Sequence, residues 1–423
     1  MAFNYLKEIR NLYENSYALL EICFILGNNT CDMDSAISAY LLSIGKNLKY
    51  GAIFLSQKGK PSINPEVKKI YLPVLNIKRG TLHYRIDVKY VFDKFGINEN
   101  DFWYTSDEVF NPHHLFIYKN NRHIKTSIIL VDHSILEQEY LSGYVTGIYD
   151  HHLSPIYNNQ YRNLRSLNIK YPLGSCSTLI LWDYFEDDDF PVKIVSPVLA
   201  LSAILLDTKK FNPDYYGLRW VDMDRKVYKK IKKVAKKNEE IKIKMKHYFQ
   251  EIKDIKHNIK LNLSLGFGPL MTKDQKFYNW NNIRIIWSSF QIPFYEIKNK
   301  FGEKTILNYY MELYKRKSNE EMKNTFIITS SSLKNKQKLF TIFNPIKMPF
   351  NKDEIQYALI NQLKNYFYSV AINCVIGEMG KPNGEECHIV VSNFYSRKNF
   401  EPILRNIFSN FKSRNDFYYS KNK

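Results

Sequence analysis

Apolar residues along this chain gather into short unbroken runs, and several of these stop at an aspartate or histidine. Residues 22–26, ICFIL, end at Gly27, and Asp32 and Asp34 follow in a polar turn. Residues 126–131, TSIILV, end at Asp132-His133, and 144–149, YVTGIY, end at Asp150-His151-His152. Unbroken apolar runs of this length suit strands of a parallel sheet covered on both faces. Between them the period lengthens. Leu6, Ile9, Leu12 and Tyr13 share one helical face within 5–20. A helix opens at Asp34-Ser35, whose short polar side chains can cap free N–H groups. Another over 88–96 closes at Gly96. Helices are also expected over 176–185 and over 191–206, the latter ending at Asp207-Thr208. Residues 50–56 predict a further strand, and 57–80 a helix followed by loop. Strands alternating with helices imply an α/β fold with a doubly wound, mostly parallel sheet over residues 1–224.

The pattern changes near Arg225. Residues 225–257 are lysine-rich, lack Pro and Gly, and carry Val227, Ile231, Val234 and Ala235 at helical spacing. They predict one long basic helix, or two, as a linker. A smaller α/β domain over 258–415 follows. Its apolar runs at 261–267, 283–287, 325–329, 339–343 and 388–392 predict a mixed sheet, with helices over 301–316 and 353–370. The last residues, SRNDFYYSKNK, are expected to fray.

Composition narrows the class. The chain has 423 residues, enough for two cores, with 44% apolar and 24% charged residues, as in ordinary globular proteins. Its net charge of +19 attracts polyanions such as polyphosphate, nucleic acid or an acidic surface, unless it only solvates the exterior. Cys23, Cys31, Cys176, Cys374 and Cys387 are odd in number and form no CxxC pair. That pattern suits reduced thiols and a cytoplasmic protein better than a disulfide frame. No apolar run is of membrane-spanning length, so no membrane partner is expected.

Asp32, Asp34, Asp132, Asp150, His151, His152 and Asp207 all stand at the ends of apolar runs. A lone Asp or His in a turn is most often a cap or a surface residue; the repetition distinguishes these. Carboxylates with a few imidazoles suit manganese- or magnesium-type ions better than a thiolate zinc site. So many acids at one sheet edge would repel one another without cations between them. Two divalent ions about 3.5–4 Å apart would offset that charge and activate a water for in-line attack on phosphorus. Ser175 and Cys176 have no base nearby in sequence, so helix capping explains them better than nucleophilic chemistry. Gly174 and Ser175 could offer backbone N–H groups to a phosphate at that helix start.

Taken together, GNNTCDMDS (27–35), ILVDHS (129–134), YDHH (149–152) and LLDT (205–208) resemble the motifs of the DHH phosphoesterase superfamily. The branch is the one with a DHHA2 C-terminal domain, which holds family II inorganic pyrophosphatases, eukaryotic exopolyphosphatases and prune-type proteins. Residues 72–97, LPVLNIKRGTLHYRIDVKYVFDKFGI, are similar to an exopolyphosphatase segment. PLGSCSTLI (172–180), LMTKDQK (270–276) and SRKNFEPIL (396–404) resemble further motifs in the expected order. The pyrophosphatases carry a metal-binding His where this chain has Asn28, which moves the resemblance towards exopolyphosphatases.

Carried over residue by residue, the resemblance implies that Asp32 binds a first metal and Asp34 and His151 a second. Asp132 and Asp207 would touch both, and Asp150 would orient the imidazoles. His152 would face substrate phosphate or protonate the leaving phosphate, and His133 could contact phosphate. Arg397 and Lys398 would reach the substrate from the second domain, with Lys273 and Lys276 as weaker candidates. Arg85 and Asp87 would form a structural ion pair. The implied cofactor is a pair of divalent ions, Mn2+ first, with Mg2+ or Co2+ as alternatives. The implied activity is a metal-dependent exopolyphosphatase releasing orthophosphate from inorganic polyphosphate. The rivals are a pyrophosphatase or nucleotide phosphohydrolase on the same scaffold, and a prune-like interaction protein. Nucleic acid is a weaker partner, since no recognition motif accompanies the charge. The oligomeric state is left open.

Overall fold

The computed structural model describes residues 4–56, 60–110, 117–119, 122–152, 160–185, 194–235, 239–280, 283–302, 304–306, 308–309, 312, 325–332, 337–344, 375–379, 385–392 and 401–406. It divides into two compact units, Met1–Lys256 and His257–Lys423.

In the first unit the elements run α1 (Tyr5–Asn15), β1 (Glu21–Leu26), α2 (Met33–Lys49), β2 (Ile53–Leu55), β3 (Pro61–Ile63), β4 (Lys69–Leu75), α3 (Ile86–Lys94), β5 (Trp103–Tyr104), β6 (Ile117–Lys119) and β7 (Arg122–Val131). Then come β8 (Val145–Asp150), β9 (Ser166–Ile169), α4 (Cys176–Asp183), α5 (Pro197–Asp207), α6 (Asp222–Ala235) and α7 (Glu239–Lys256). The main sheet has the order β5-β4-β1-β7-β8-β9, with β6 alongside β7. The six strands of that path are parallel, and β6 is antiparallel. β1 pairs with a strand on each side, and Ile22 to Leu26 are all buried, as its unbroken apolar run requires. From β1 the chain builds outward to β4 and β5 on one side, then crosses to β7, β8 and β9 on the other. The order therefore reverses between β1 and β7, and α/β sheets bind ligands beyond the carboxyl ends of strands at such a point.

Several elements differ from the sequence expectation. β4 lies inside the stretch expected as helix and loop. Pro73 interrupts its apolar run, and a proline argues against a central strand. The sheet accommodates it because β5 pairs β4 only at Val74 and Leu75, beyond the missing N–H. The expected strand over 50–56 is reduced to β2, which pairs only with β3. α1 stops at Asn15, and α5 begins at Pro197, whose fixed φ suits a first helical turn. The basic stretch forms α6 and α7. Both pack within the first unit rather than standing apart as a connector, burying Met223, Val227, Ile231, Tyr248 and Ile252.

The second unit contains α8 (Ile259–Ser264), α9 (Phe267–Thr272), β10 (Gln275–Trp280), β11 (Ile283–Ser289), α10 (Phe294–Phe301), β12 (Thr325–Ser332), β13 (Gln337–Asn344), β14 (Val375–Met379) and β15 (Glu385–Ser392). Its sheet, ordered β10-β11-β12-β13-β15-β14, is mixed: β11 and β12 are parallel and the other pairs antiparallel. The run 261–267 is helical, not a strand. Short apolar runs do not distinguish the two, and the Asn258 side chain accepts the Leu261 N–H at the start of α8. Gly302, with φ of 81°, closes α10 where a helix over 301–316 was expected; residues 304–306 are again helical. The helix expected over 353–370 lies outside the described residues. Leu270, Met271, Ile286, Ile297 and Ile327 belong to this unit's core.

Candidate metal centre

Each expected acid of the first unit sits where a strand or helix ends. Asp32 caps α2, accepting the Ser35 N–H at 3.1 Å; the expected cap at Asp34-Ser35 lies two residues late. Asp34 falls in the first turn of α2, and this frees its carboxylate for another helix. Its Oδ2 accepts the Cys176 N–H at 2.7 Å, and its Oδ1 accepts the Ser177 N–H at 3.0 Å. The hydroxyls of Ser175, Ser177 and Ser38 donate to the same Oδ1 at 2.7, 2.8 and 3.3 Å. Asp34 thus caps α4 from the helix packed beside it, where N–H groups and the helix dipole favour an anion.

This arrangement corrects two expectations. The Ser175 hydroxyl does not cap α4; it donates to Asp34. The Gly174 N–H is not open to phosphate, since Asp224 Oδ2 accepts it at 3.0 Å. A Cβ at Gly174 would lie 2.5 Å from the Arg219 carbonyl oxygen, so this loop admits only glycine. Gly27 is close-packed too, against a side chain. Ser35 Oγ would meet its Cβ at 2.4 Å, and the same oxygen accepts the Asn28 N–H at 2.6 Å.

At the end of β7, Asp132 takes a left-handed backbone conformation, φ 63°, which Asn and Asp adopt more readily than other side-chain-bearing residues. The turn aims a buried carboxylate at the neighbouring strand ends. Asn28 Nδ2 donates to its Oδ2 at 2.7 Å. Asn28 Oδ1 meanwhile accepts from Thr30 N, Thr30 Oγ1 and Cys31 N at 3.0, 2.8 and 3.0 Å. The amide at the position where pyrophosphatases carry histidine is therefore engaged in holding the turn and Asp132.

β8 ends in two adjacent histidines with different orientations. His151 is buried, and its Nδ1–H donates to the Leu173 carbonyl at 3.0 Å. That fixes the tautomer, so Nε2 presents a lone pair. Nε2 lies 3.1 Å from Asp132 Oδ1 and 3.4 Å from Asp34 Oδ2. His152 Nδ1 instead bonds Asp150 Oδ1 at 2.7 Å, with its side chain 20% exposed. Asp150 also accepts the N–H groups of His151 and His152 at 2.8 and 3.1 Å. Asp150 therefore orients one imidazole, His152, while the Leu173 carbonyl orients the other.

Asp132, His151 and His152 offer ligand atoms within 4.8 Å of one another. The Asp132 and Asp34 oxygens and the His151 Nε2 lone pair also face one another and repel, and a divalent cation among them would turn the repulsion into coordination. The acids register the same imbalance. Burial, then the charges of Asp32 and Asp34, push the Asp132 carboxyl up to about 8. Burial would raise Asp150 too, but the imidazole of His152, then that of His151, hold it below the ordinary carboxylate range. Burial, reinforced by Asp34, Asp132 and Asp150, pushes the Cys176 thiol well above its usual value. A thiol so raised is no nucleophile. The donor set fits a divalent cation.

Asp207 ends α5 beside Thr208, whose methyl faces Gly174. Asp207 is not part of the three-residue group above. Its charge acts on Arg219 and on Lys256. His133 turns its Nδ1 to the Val131 carbonyl at 3.0 Å. Asp87 has Lys256 Nζ at 3.3 Å. Burial alone would lower the Lys256 pKa, but Asp87, Asp32 and Asp207 outweigh it and raise it. In the second unit Lys273 is buried and donates to Asn262. Arg397 and Lys398 lie outside the described residues. Sequence reasoning missed Asp224, Ser177 and Lys256. Nothing in a run of lysines marks the last one, and a serine's partner 143 residues away leaves no local signature.

The class defined by fold and site is that of an α/β protein with a candidate metal centre at the topological switch point. No family model matches the chain. A chain of Schizosaccharomyces pombe named “Putative exopolyphosphatase” is 25% identical over 300 residues, 67% of this chain and 68% of that one. Human “Exopolyphosphatase PRUNE1” is 26% identical over 274 residues, 63% of this chain and 51% of that one. The match thus spans about two thirds of the yeast chain and half of the human one. In structure, the chain is similar to a Methanococcus jannaschii “putative family II inorganic pyrophosphatase”. The TM-score is 0.54 at 17% identity, over 92% of this chain and 99% of that one. The chain resembles DHH-type phosphoesterases, and among them the eukaryotic exopolyphosphatases.

Proposed function

We propose that this protein is a divalent-metal-dependent phosphoanhydride hydrolase acting on inorganic polyphosphate and releasing orthophosphate from the chain end. The observation that carries the reading is the meeting of His151 Nε2 with the carboxylates of Asp132 and Asp34 at 3.1 and 3.4 Å. Asp132, His151 and Asp34 would hold one ion, with Asp32 and Asp207 nearby for a second; Mn2+ suits the mixed oxygen and nitrogen donors, with Mg2+ or Co2+ as alternatives. Bound divalent ions screen phosphate charge and acidify a coordinated water.

The chain's own residues supply the rest. Asp150 holds His152 through Nδ1, which leaves Nε2 directed away from the carboxylate and able to give a proton to the leaving phosphate. Asn28 fixes Asp132, and the α4 N-terminus fixes Asp34, so the acids are positioned before substrate arrives. Preorganised charge supplies most of the catalysis in phosphoryl transfer. Arg397 and Lys398 would add contacts to the polyanion. Two features support polyphosphate over pyrophosphate: the names of the sequence relatives, and Asn28 in place of a histidine ligand. The test is phosphate release from a chain-length series running from pyrophosphate to medium-chain polyphosphate, with Mn2+, Mg2+ and Co2+ in turn. Faster turnover of tri- and polyphosphate is expected. Pyrophosphate cleaved far faster than the longer chains would overturn the substrate, and no release with any metal would overturn the activity.

A further inference from the structure

Arg219 is a cation that nothing in the site description uses. It lies in the loop between α5 and α6, and its Nε is wholly buried with no hydrogen-bond partner among the described residues. No carboxylate there comes within ion-pair distance of it. Its guanidinium carbon lies 5.8 Å from the ring centroid of Tyr215. The acid whose charge reaches it is Asp207. Burial lowers its pKa, and Asp207 acts in the opposite direction. A guanidinium whose Nε–H is buried and unmet is costly, because the lost water contact of that donor is not replaced. Such groups call for an explanation, and completion by a bound ion or ligand is one that also gives the group a role.

The surrounding loop is built to hold that arginine in place. Lys209, Lys210 and Phe211 all take positive φ, at 51°, 55° and 59°, a strain of order 1–3 kcal/mol each that persists only where the surroundings impose it. Phe211 packs on Trp220 and Tyr228 with centroids 5.5 and 5.0 Å away, and Trp220 Nε1 donates to the Asn212 carbonyl at 2.8 Å. The Arg219 N–H donates to the Tyr215 carbonyl at 2.8 Å, and Asp224 Oδ2 accepts the Val221 N–H at 2.9 Å. The Arg219 carbonyl abuts Gly174, one residue from the Leu173 carbonyl that orients His151. The loop is therefore fixed both to the α4 entrance and to the end of α5 that carries Asp207.

We propose that Arg219 is a phosphoryl-binding residue of the first unit, its buried Nε–H and guanidinium edge completed by oxygens of a phosphate held next to Asp207. The inference rests on the phosphoanhydride reading above for the identity of that anion. Guanidinium suits the task, since its planar fork matches phosphate oxygens and stays charged when partly buried.

The test uses the full chain, metal-free, with Arg219→Met and Arg219→Lys. Thermal unfolding is followed with and without orthophosphate, then KM and kcat are measured for triphosphate with Mn2+. Removing a half-buried cation whose Nε–H is buried and unmet should raise the unliganded Tm of Arg219→Met by about 2–4 °C. The same variant should lose most of the phosphate-induced Tm gain of the wild type. Its KM should rise by about tenfold or more, with kcat changed less. Arg219→Lys should keep part of the phosphate response. A fall in Tm with the phosphate response and KM both unchanged would make Arg219 a packing residue and overturn the inference. The two readings fail separately. A wild type that hydrolyses nothing yet shows an Arg219-dependent phosphate shift loses the activity and keeps the subsite. Hydrolysis with an Arg219-independent shift does the reverse.

Discussion

The end of β1 and the end of β7 lie side by side, and each delivers a buried aspartate, yet the two acids are treated in opposite ways. Asp34 is met by the α4 N–H groups of Cys176 and Ser177 and by the hydroxyls of Ser38, Ser175 and Ser177. Asp132 is given one side-chain amide donor, from Asn28, and faces an imidazole lone pair and two other acids. One carboxylate is stabilised by the protein; the other is left in charge debt that only a proton or a cation can remove. The difference separates an acid that also anchors the site from one that only a proton or an ion completes. An acid already satisfied by hydrogen bonds ties two helices together while keeping an oxygen 3.4 Å from His151 Nε2, and an acid left short is the one that calls for a cation.

The sharpest way to break that contrast is to neutralise each acid in turn. Asp132→Asn should lower phosphate release on the order of 10³-fold, the scale of losing a principal electrostatic contact, and abolish tight Mn2+ binding by calorimetry. The metal-free protein should remain folded, because an amide relieves the crowding of charge. Asp34→Ala should do the reverse in stability. It strips partners from the start of α4 and from the serine hydroxyls, so denaturant melts should show a loss of about 3–5 kcal/mol, as when one partner of a buried charged network is removed. If Asp34→Ala folds as well as wild type while Asp132→Asn does not, the assignment of the two roles is inverted.

How much of this could be read from the residues follows from what each signal depends on. β1, β7 and β8 were legible because parallel central strands need unbroken apolar runs, and these runs end on the acids. The gathering of Asp34, Asp132, His151 and His152 was legible for the same reason: strand ends of one sheet share an edge. β4 was not, since Pro73 masks a strand whose neighbour β5 happens to be too short to need its N–H. The division of labour between His151 and His152 was not either. It depends on the Leu173 carbonyl, brought back by the loop before α4, and backbone carbonyls carry no sequence label. Arg219 falls in a loop whose geometry is set by Phe211 and Trp220, and Asp224 in the first turn of the helix that follows, so composition alone gives them no distinction.

A finer version of the contrast concerns the two histidines. Asp150→Asn should weaken the hold on His152 Nδ1 while leaving His151 fixed by Leu173. Loss of an orienting carboxylate typically costs 10–100-fold, so turnover should drop by about that much while Mn2+ affinity changes little. Equal losses in turnover and in metal affinity would show that Asp150 supports both rings alike.

The mildest effect is a pH slope. In the metal-free protein the Asp132 carboxyl sits at about 8, against an ordinary value of 3.8. Between those values the folded state binds more protons at this group than the unfolded state does. Its contribution is therefore fully present below the unfolded value and is lost as pH rises through the folded one. The metal-free Tm should fall as pH goes from 5 to 8, by up to about 3 °C per unit. Asp150 works oppositely but only in strong acid, where its depressed carboxyl protonates, so it leaves this window undisturbed. Saturating Mn2+ should flatten the slope, since a cation takes the place of the proton, and Asp132→Asn should flatten it without any metal. A slope that survives in Asp132→Asn would place the excess charge on another group and remove the reason for calling β7 the ion-binding end.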